Sequence, residues 1–326
     1  MSSTSSQGVR EDRFEAGLRD LADLTVRPHE PLARFTTFRI GGPARWLIDV
    51  PSSRSLARLL QLASRTGVSI HALGLGSNVL FPDQGLTAAV VRLGGEFKAV
   101  RIRGGWVSAG AGVALPQLAR RTAQRNLLGL EALSGFPSTV GGAVVMNAGC
   151  YGTEVRDVLV AAVALDGEGR RRRWRTADLE PAYRSTRLQR EGGEGGEVAF
   201  VTRALFRLTP GDGREAMARI DQWNAKRWAS LPSGAPNAGS IFKNPVGDHA
   251  GRLIEASGLK GQQVGGAQIS PKHANVIVNL GGARATDVLD LMLLARRRVL
   301  DAFGVTLVPE IVLTGPLRSR WREDCS

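Results

Sequence analysis

The feature that most constrains this chain is a run of small residues from Gly135 to Gly149, with the sequence Gly-Phe-Pro-Ser-Thr-Val-Gly-Gly-Ala-Val-Val-Met-Asn-Ala-Gly. So many small side chains in consecutive positions are hard to explain by core packing, because they offer little apolar area to bury. Glycine also allows a ligand to approach the main chain closely. We therefore interpret the run as a bare backbone surface against which an elongated ligand lies.

A second glycine-rich segment covers residues 73–80, with the sequence Leu-Gly-Leu-Gly-Ser-Asn-Val-Leu. It follows an apolar run that predicts a strand. Backbone N–H groups in such a turn can form a nest for phosphate oxygens. The segment has neither the GxGxxG spacing nor the lysine of a P-loop, so a tight turn after the strand explains it equally well. Two such loops in separate lobes predict a dinucleotide cofactor held between them.

The charge of the chain is strongly positive, with 43 Lys and Arg against 30 Asp and Glu. Nucleic acid, an anionic membrane and phosphorylated small molecules are the partners that fit this balance. The densest cluster, Arg170–Arg173, follows a turn sequence and is interpreted as the solvated edge of a strand. The sequence has no nucleic-acid-binding motif and no apolar run of about 18 residues that would span a membrane. We therefore expect neither nucleic acid nor a membrane as partner.

Several segments carry little signal for function. Cys150 and Cys325 are too few for a disulfide framework or a four-thiolate metal site, and the histidines are scattered, so no metal is expected. Residues 1–20 lack the apolar core of a signal peptide, which predicts a cytoplasmic protein. The glycine- and glutamate-rich residues 191–197 predict a flexible loop. No oligomerisation motif is visible, so a monomer is expected.

The pattern of strands and helices changes along the chain. A β-α-β unit is predicted between Trp46 and Leu93, with a helix that Ser52 or Ser53 caps and Gly67 closes. The strongest boundary signal is Pro210–Gly213, after which a helix, a Pro- and Gly-rich segment and a shorter α/β region are predicted. Further strands are predicted at residues 100–103, 106–109, 158–165, 172–175 and 198–208.

Short motifs in a fixed order resemble the family of UDP-N-acetylenolpyruvoylglucosamine reductases, the flavoenzymes of peptidoglycan precursor synthesis. The compact link between Tyr183 and Ser240 resembles the branch of the family that lacks an extra substrate-covering tyrosine loop. Because several motifs occur in the correct order, the resemblance is more specific than any one of them. The matching segments are residues 36–44, 74–78, 135–152, 183–185, 239–245, 265–267, 273–275 and 309–310.

The resemblance implies an α+β fold. A two-lobed FAD-binding module of the vanillyl-alcohol-oxidase type would be followed by a C-terminal α/β substrate-binding domain. The implied parts are the two FAD-binding lobes (21–95 and 96–210) and the substrate domain (211–316). The polar composition of residues 1–20 predicts a flexible leader, with a short helix at its end as the alternative, and residues 317–326 are predicted to form a tail.

The resemblance also implies non-covalently bound FAD, with NADPH as co-substrate and a UDP-sugar enolpyruvate as substrate. A hydride would pass from flavin N5 to C3 of the enol ether and a proton to C2, giving UDP-N-acetylmuramate. The residues implied to bind the cofactor are Gly74, Leu75, Gly76, Ser77, Asn78, Pro137, Ser138, Thr139, Gly141, Gly142 and Asn147. The residues implied to bind the substrate are Tyr183, Arg227, Lys243, Asn244 and His273.

Three residues are implied to be catalytic, namely Arg184, Ser240 and Glu310. A guanidinium can bind the substrate carboxylate with two charge-assisted hydrogen bonds. A serine hydroxyl is a very weak acid and protonates only a strongly basic centre, such as the enolate-like intermediate. Glu310 either orients the carboxylate or shuttles the proton. Tyr183 either lines the substrate site or packs against Arg184, and His273 lies either near the substrate or on the surface.

Three positions depart from the family pattern, and at one of them Val308 replaces a glutamate that is interpreted as structural. Ser138 replaces the usual glycine, and Ser230 replaces a lysine that some members use for the substrate, so Lys226, Arg227 or Lys243 would have to supply that charge. Two other functions stay open on the sequence. The first is an FAD-dependent oxidase or dehydrogenase of the same cofactor fold acting on another substrate, and the second is a non-catalytic binding protein on this scaffold.

Overall fold

The structure is a computed structural model that describes residues 3–191, 199–232 and 234–324, so Cys325 and most of the predicted 191–197 loop lie outside the described residues. The α-helices are α1 (Ser3–Arg19), α2 (Ser53–Thr66), α3 (Leu115–Ala123), α4 (Val140–Val145), α5 (Arg187–Glu191), α6 (Gly213–Ser230), α7 (Ala250–Ala256), α8 (Ala285–Phe303) and α9 (Pro316–Glu323). The first strands are β1 (Thr25–Pro31), β2 (Pro43–Val50), β3 (Ile70–Ala72), β4 (Val79–Leu80), β5 (Leu86–Leu93), β6 (Val100–Arg103), β7 (Trp106–Gly110), β8 (Leu127–Leu128), β9 (Gly149–Cys150) and β10 (Thr153–Glu154). The remaining strands are β11 (Leu159–Leu165), β12 (Arg171–Arg175), β13 (Phe200–Arg207), β14 (Thr209–Pro210), β15 (Asn237–Ser240), β16 (Gln263–Val264), β17 (Ala267–Ile269), β18 (Val276–Asn279) and β19 (Val312–Leu313).

The chain divides into two compact units. Unit 1 comprises Met1–Pro28, Trp46–Gly74 and Thr87–Asn224, and unit 2 comprises His29–Arg45, Leu75–Leu86 and Ala225–Ser326. The two predicted FAD-binding lobes therefore contribute mainly to one unit, and two short early segments belong with the C-terminal part of the chain. The finer division of unit 1 into two lobes stays a prediction.

The first sheet of the fold has the strand order β1-β2-β5-β3, with β3 and β5 parallel. The helix α2 begins after Ser52, whose side chain accepts a hydrogen bond from the N–H of Ser55. It ends at Gly67, which has a left-handed φ of 69°. Both the cap and the closing glycine follow the sequence prediction, because they depend only on neighbouring residues. Leu56, Leu59 and Leu60 of α2 are buried in the core beside this sheet.

The N-terminal segment differs from the flexible leader that was predicted. Residues Ser3–Arg19 form α1, and its Phe14 and Leu18 are buried in the same core as α2. The ring of Phe14 lies 4.8 Å from that of Trp46 between centroids. The polar composition of the segment concealed these two apolar positions, which lie four residues apart on one helix face.

The second sheet of unit 1 is antiparallel, with the order β12-β11-β13-β7-β6. The predicted hairpin between residues 100 and 109 is present, with Val100 opposite Ala109 and Arg103 opposite Trp106. Helices α3 and α4 bury their apolar residues with one face of this sheet. Because α4 forms the middle of the glycine-rich run, the run is attached to the core of this sheet.

Unit 2 is built on the antiparallel sheet β15-β18-β17-β16, with α8 packed in the same core. Asp83 accepts hydrogen bonds from the backbone N–H groups of Ala285 (2.7 Å) and Thr286 (3.2 Å) at the start of α8. The predicted tail is ordered in α9, where Leu317 is buried and the Trp321 ring lies 6.1 Å from that of Phe242. Both ends of the described chain are thus packed into a core.

Separate helical and mainly antiparallel sheet layers confirm the predicted α+β class. Among the described residues, no helix combines the length and the apolar character that are needed to cross a bilayer.

Replacing Phe14 by alanine tests whether α1 is part of the fold. Because the ring is fully buried, Phe14→Ala should lower the free energy of unfolding by about 3–5 kcal/mol. Val9→Ala on the same helix, where the side chain is 49% exposed, should change it by less than about 0.5 kcal/mol. Urea denaturation measures both changes, and equal small effects would show that α1 is not part of the core.

Candidate active site

The two glycine-rich segments approach each other in unit 1. A Cβ atom added to Gly74 would lie 2.8 Å from Oγ1 of Thr139, so only a residue without a side chain fits there. Thr139 caps α4 by accepting a hydrogen bond from the N–H of Gly142 (3.2 Å), and the hydroxyl of Ser138 donates to the carbonyl of Thr139 (3.0 Å). The structure therefore brings two of the predicted cofactor-binding segments together at one point.

The glycines of the run serve two different purposes. A Cβ on Gly141 would lie 2.9 Å from Cβ of Ala111, so this glycine is required by packing within the protein. Gly142 is exposed, and Pro137 is exposed beside it. Packing therefore explains the glycine at position 141, contrary to the sequence interpretation, whereas it does not explain the glycine at position 142.

The exposed part of the run suits a diphosphate. Gly74 and Gly142 leave the backbone uncovered next to the hydroxyl groups of Ser138 and Thr139. Hydroxyls, bare backbone and the positive end of a helix are the donors that phosphate oxygens prefer. The residues present thus fit the pyrophosphate of a dinucleotide cofactor.

Asn147 does not have the environment expected of a ligand-binding residue. Its side chain is 1% exposed, and its Nδ2 donates to Oε2 of Glu154 and to the carbonyl of Ala182, both at 3.0 Å. Its Oδ1 accepts from the N–H of Arg156 at 3.0 Å. Both polar atoms of Asn147 thus hold other parts of the protein.

The residues that follow Gly74 belong to unit 2. Gly76 has a φ of +64°, and a Cβ there would lie 2.0 Å from the carbonyl oxygen of Phe35, so glycine is required. Its carbonyl accepts a hydrogen bond from the N–H of Thr37 (3.0 Å). The side chain of Asn78 donates to the carbonyl of Glu310 at 3.1 Å. A predicted cofactor-binding residue thus contacts a predicted catalytic residue.

Ser240 and Glu310 lie on neighbouring segments of unit 2. The N–H of Glu310 donates to the carbonyl of Ile241 at 2.8 Å, directly after Ser240. Ser240 pairs with Val276, but the register of β15 shifts between Asn237 and Ser240. This bulge, where Gly239 has a φ of +73°, changes the alternation of side chains along the strand. The bulge therefore decides which way Ser240 points.

Arg184 lies in a tight turn of unit 1, between Ala182 and Ser185, which exchange two backbone hydrogen bonds. Its φ is +52°, a conformation that costs energy for residues other than glycine. Its Nη2 donates to the carbonyl of Gly149 at 2.7 Å, and its guanidinium lies 5.0 Å from the centroid of the Tyr183 ring. The side chain of Arg184 is 18% exposed, so it is partly accessible to a ligand.

The predicted substrate-binding residues have different environments. Tyr183 is 44% exposed. Lys243 is half-buried, and its N–H donates to the carbonyl of Val308 (2.8 Å). Asn244 is exposed, but its Oδ1 accepts from the N–H of Ala250 at the start of α7 (3.1 Å).

Arg227 and His273 are both half-buried in unit 2. Burial lowers the pKa of the His273 side chain, and the positive charges of Arg227 and Lys260 lower it further. Its Nδ1 is buried and has no hydrogen-bond partner in the part of the chain that the structure describes. His273 is therefore not a simple surface residue.

Two residues for which the sequence predicted no role hold the segments that carry the predicted site residues. Asn275 is buried, and its side chain donates to the carbonyl of Phe242 (2.8 Å) and accepts from the N–H of the same residue (3.0 Å). Glu154 contacts Asn147 and Arg184. Asn275 belongs to a matching motif and could have been found there, whereas Glu154 carries no sequence signal.

Two family models match the chain. The model of the UDP-N-acetylenolpyruvoylglucosamine reductase C-terminal domain matches residues 231–314. The model of an FAD binding domain matches residues 46–175. The first match contains Ser240 and Glu310, and the second contains the glycine-rich run.

Relatives and a solved structure resemble the chain over most of its length. UDP-N-acetylenolpyruvoylglucosamine reductase 2 of Symbiobacterium thermophilum is 45% identical over 304 residues, which is 93% of this chain and 96% of the relative. The reductase of Rubrobacter xylanophilus is 43% identical over 286 residues, 88% of this chain and 94% of the relative. The crystal structure of the reductase from Thermus caldophilus has a TM-score of 0.76 and 37% identity, covering 90% of this chain and all of that one.

The lowered pKa of His273 predicts a pH dependence of stability. The unfolded chain takes up a proton on this residue near about pH 6.5, whereas the folded chain does so only at lower pH, so protonation favours unfolding. As the pH is lowered from about 7.5 to about 5.5, the free energy of unfolding should therefore fall. The slope should be less than about 1.4 kcal/mol per pH unit, which is the largest contribution of one proton. Urea denaturation of wild type and His273→Gln should show a smaller fall in the variant, and equal slopes would contradict the assignment.

Proposed function

This chain belongs to the family of UDP-N-acetylenolpyruvoylglucosamine reductases, and we propose how its residues carry out the reaction of that family. The reaction is the NADPH-dependent, FAD-mediated reduction of UDP-N-acetylglucosamine enolpyruvate to UDP-N-acetylmuramate. The observation that carries this conclusion is the 45% identity over 304 residues, together with the match of the family's own C-terminal domain to residues 231–314. The sequence prediction of an FAD-dependent oxidoreductase of peptidoglycan synthesis is thereby confirmed.

Bound FAD would supply hydride chemistry for the enol ether, with NADPH as the source of reducing equivalents. In unit 1, Ser138, Thr139 and the bare backbone at Gly74 and Gly142 would hold its pyrophosphate. Their hydroxyls and uncovered main chain support this assignment, because such groups suit phosphate oxygens. A contact of Ser77 with the cofactor stays a prediction from the sequence. The serine at position 138, where the family usually has glycine, would offer its hydroxyl to the cofactor in place of its bond to the carbonyl of Thr139.

Arg184 would bind the carboxylate of the substrate. Hydride addition to an enolpyruvyl group moves negative charge through C2 into the carboxylate, and a guanidinium stabilises that charge as it develops. The turn that carries Arg184 is held in a strained conformation, which is common where a side chain must be presented in one orientation. The ring of Tyr183 beside it favours the charged guanidinium by a cation–π contact.

Ser240 would give the proton to C2. A serine hydroxyl is a weak acid, but an enolate-like carbon is basic enough to take its proton. The bulge at Gly239 and the hydrogen bonds around Ile241 hold the backbone of Ser240, which supports a role that requires fixed geometry. Glu310 would either orient the carboxylate or return a proton to the serine, and both roles agree with the bond between its N–H and Ile241.

The UDP part of the substrate needs positive charge. Lys243 and Arg227 would meet the two phosphates, because the cation of some family members is replaced by Ser230 here. Asn244, Tyr183 and His273 would contact the rest of the substrate. The joint action of Arg184, Ser240 and Glu310 in the reaction stays a prediction from the sequence. The cytoplasmic location and the monomer stay predictions from the sequence.

A side chain at position 142 should weaken the binding of FAD. Gly142 is exposed, and a Cβ would lie at least 3.4 Å from its neighbours Thr139 and Ser138, so Gly142→Val should fold. It should nevertheless weaken FAD binding at least about tenfold, because it covers backbone that the pyrophosphate approaches. Titrating apoprotein into FAD and following flavin fluorescence measures the dissociation constant, and a value equal to that of the wild type would remove position 142 from the site.

Removing the hydroxyl of Ser240 should separate the two half-reactions. In Ser240→Ala, NADPH should reduce the bound flavin at a rate within about twofold of wild type, whereas reoxidation by the enolpyruvyl substrate should slow by about 10²–10⁴-fold. Stopped-flow absorbance of the flavin measures both rates. Ser257→Ala is the matched control, because that hydroxyl donates to the carbonyl of Leu253 in α7 and has no proposed role in the reaction. Equal slowing of both half-reactions would show that Ser240 is not the proton donor.

A further inference from the structure

A carboxylate that the reaction does not itself require lies beside Arg184. Glu154 is largely buried, with a side-chain exposure of 18%. Its Oε1 lies 4.0 Å from Nη1 of Arg184, and its Oε2 lies 2.9 Å from Nε of Arg156. The backbone of Glu154 is itself held, because its N–H donates to Oδ2 of Asp157 at 2.8 Å. Both the main chain and the side chain of this residue are therefore fixed.

Asn147 connects Glu154 to the turn that carries Arg184. The Nδ2 group of Asn147 donates both to Oε2 of Glu154 and to the carbonyl of Ala182, the residue that opens the turn. The guanidinium of Arg184 returns to the same region by donating to the carbonyl of Gly149. The buried amide of Asn147 therefore holds Ala182 at the start of the turn. The carboxylate of Glu154, which is bound to the same amide, faces the guanidinium of Arg184.

We propose that Glu154, anchored by Asn147, is a positioning residue that orients the guanidinium of Arg184 for the carboxylate of the substrate. The inference rests on the proposed role of Arg184. A long side chain loses rotamer freedom when it binds a ligand, and a neighbouring carboxylate removes part of that cost in advance. The left-handed backbone at Arg184 and Asn147 is strained. The hydrogen bonds of the Asn147 side chain stabilise this conformation.

Glu154 lies between two guanidinium groups. Its Oε2 lies 2.9 Å from Nε of Arg156, which also lies 3.9 Å from Oδ1 of Asp157, whereas its Oε1 lies 4.0 Å from Nη1 of Arg184. The 4.0 Å separation between Glu154 and Arg184 is too long for a hydrogen bond. Glu154 therefore acts on the orientation of the guanidinium through charge and does not form with it the paired hydrogen bonds that a substrate carboxylate would accept.

A double-mutant cycle on the holoenzyme tests this inference. Glu154→Gln keeps the size of the side chain and removes its charge, so reoxidation of the flavin by substrate should slow by about 10–100-fold through misalignment of Arg184. Flavin reduction by NADPH should stay within about twofold. In the background of Arg184→Lys, which cannot make the bidentate contact, adding Glu154→Gln should slow reoxidation by less than about twofold further, because the two residues act as one unit.

Glu131→Gln is the matched control. Glu131 is also a buried glutamate of unit 1 that pairs with an arginine, Arg219, at 3.0 Å. Glu131 has no proposed role at the turn that carries Arg184. Its replacement therefore measures the general effect of losing a buried carboxylate. Its variant should keep both half-reaction rates within about twofold, even where the temperature of unfolding falls.

The outcomes separate this inference from the proposed function. If the wild type shows no reoxidation by the enolpyruvyl substrate, the proposed function itself is wrong. If the enolpyruvyl substrate reoxidises the flavin of Glu154→Gln as fast as that of the wild type, the positioning role is wrong. Effects of Glu154→Gln and Arg184→Lys that multiply independently would equally overturn it, because they would show that Glu154 does not act through Arg184.

Discussion

The hydrogen bonds between Asn275 and the backbone of Phe242 hold the part of unit 2 that carries Ser240 and Lys243, for which we propose roles in the reaction. The amide of Asn275 satisfies both the N–H and the carbonyl of Phe242, in a region where the sheet ladder is interrupted by a bulge. Without it, two buried backbone groups would lose their partners, at a cost of about 1–3 kcal/mol each. Because Ser240 and Lys243 flank this segment closely, their positions depend on one buried side chain.

In unit 1 the corresponding constraint is a strained backbone. Asn147, Tyr151 and Arg184 all have a positive φ, although none is a glycine. Each such conformation persists only where the surrounding contacts enforce it. Asn147 and Glu154 provide those contacts at the turn, and the hydroxyl of Tyr151 donates to the carbonyl of Trp223 on α6 (2.9 Å). These contacts offset the conformational cost of the positive φ values.

The sequence predicted well those features that depend on neighbouring residues. The cap at Ser52, the closing glycine at Gly67 and the hairpin after Val100 all follow from local rules, and the structure has them. The leader was predicted wrongly, because Phe14 and Leu18 are isolated apolar residues in a polar segment whose partners lie elsewhere in the chain. Asn147 was selected by its place in a motif, although its buried amide binds protein groups.

The sequence by itself determined the family, the chemistry and the residue types, because ordered short motifs record which side chains a reaction needs. Only the tertiary structure decided how those side chains are held. Contacts between residues far apart in the chain decide three features of the structure. They are the packing of Gly141, the position of the bulge before Ser240 and the carboxylate that faces Arg184. Local propensities contain no information about such contacts, since their energies exist only once the chain has folded.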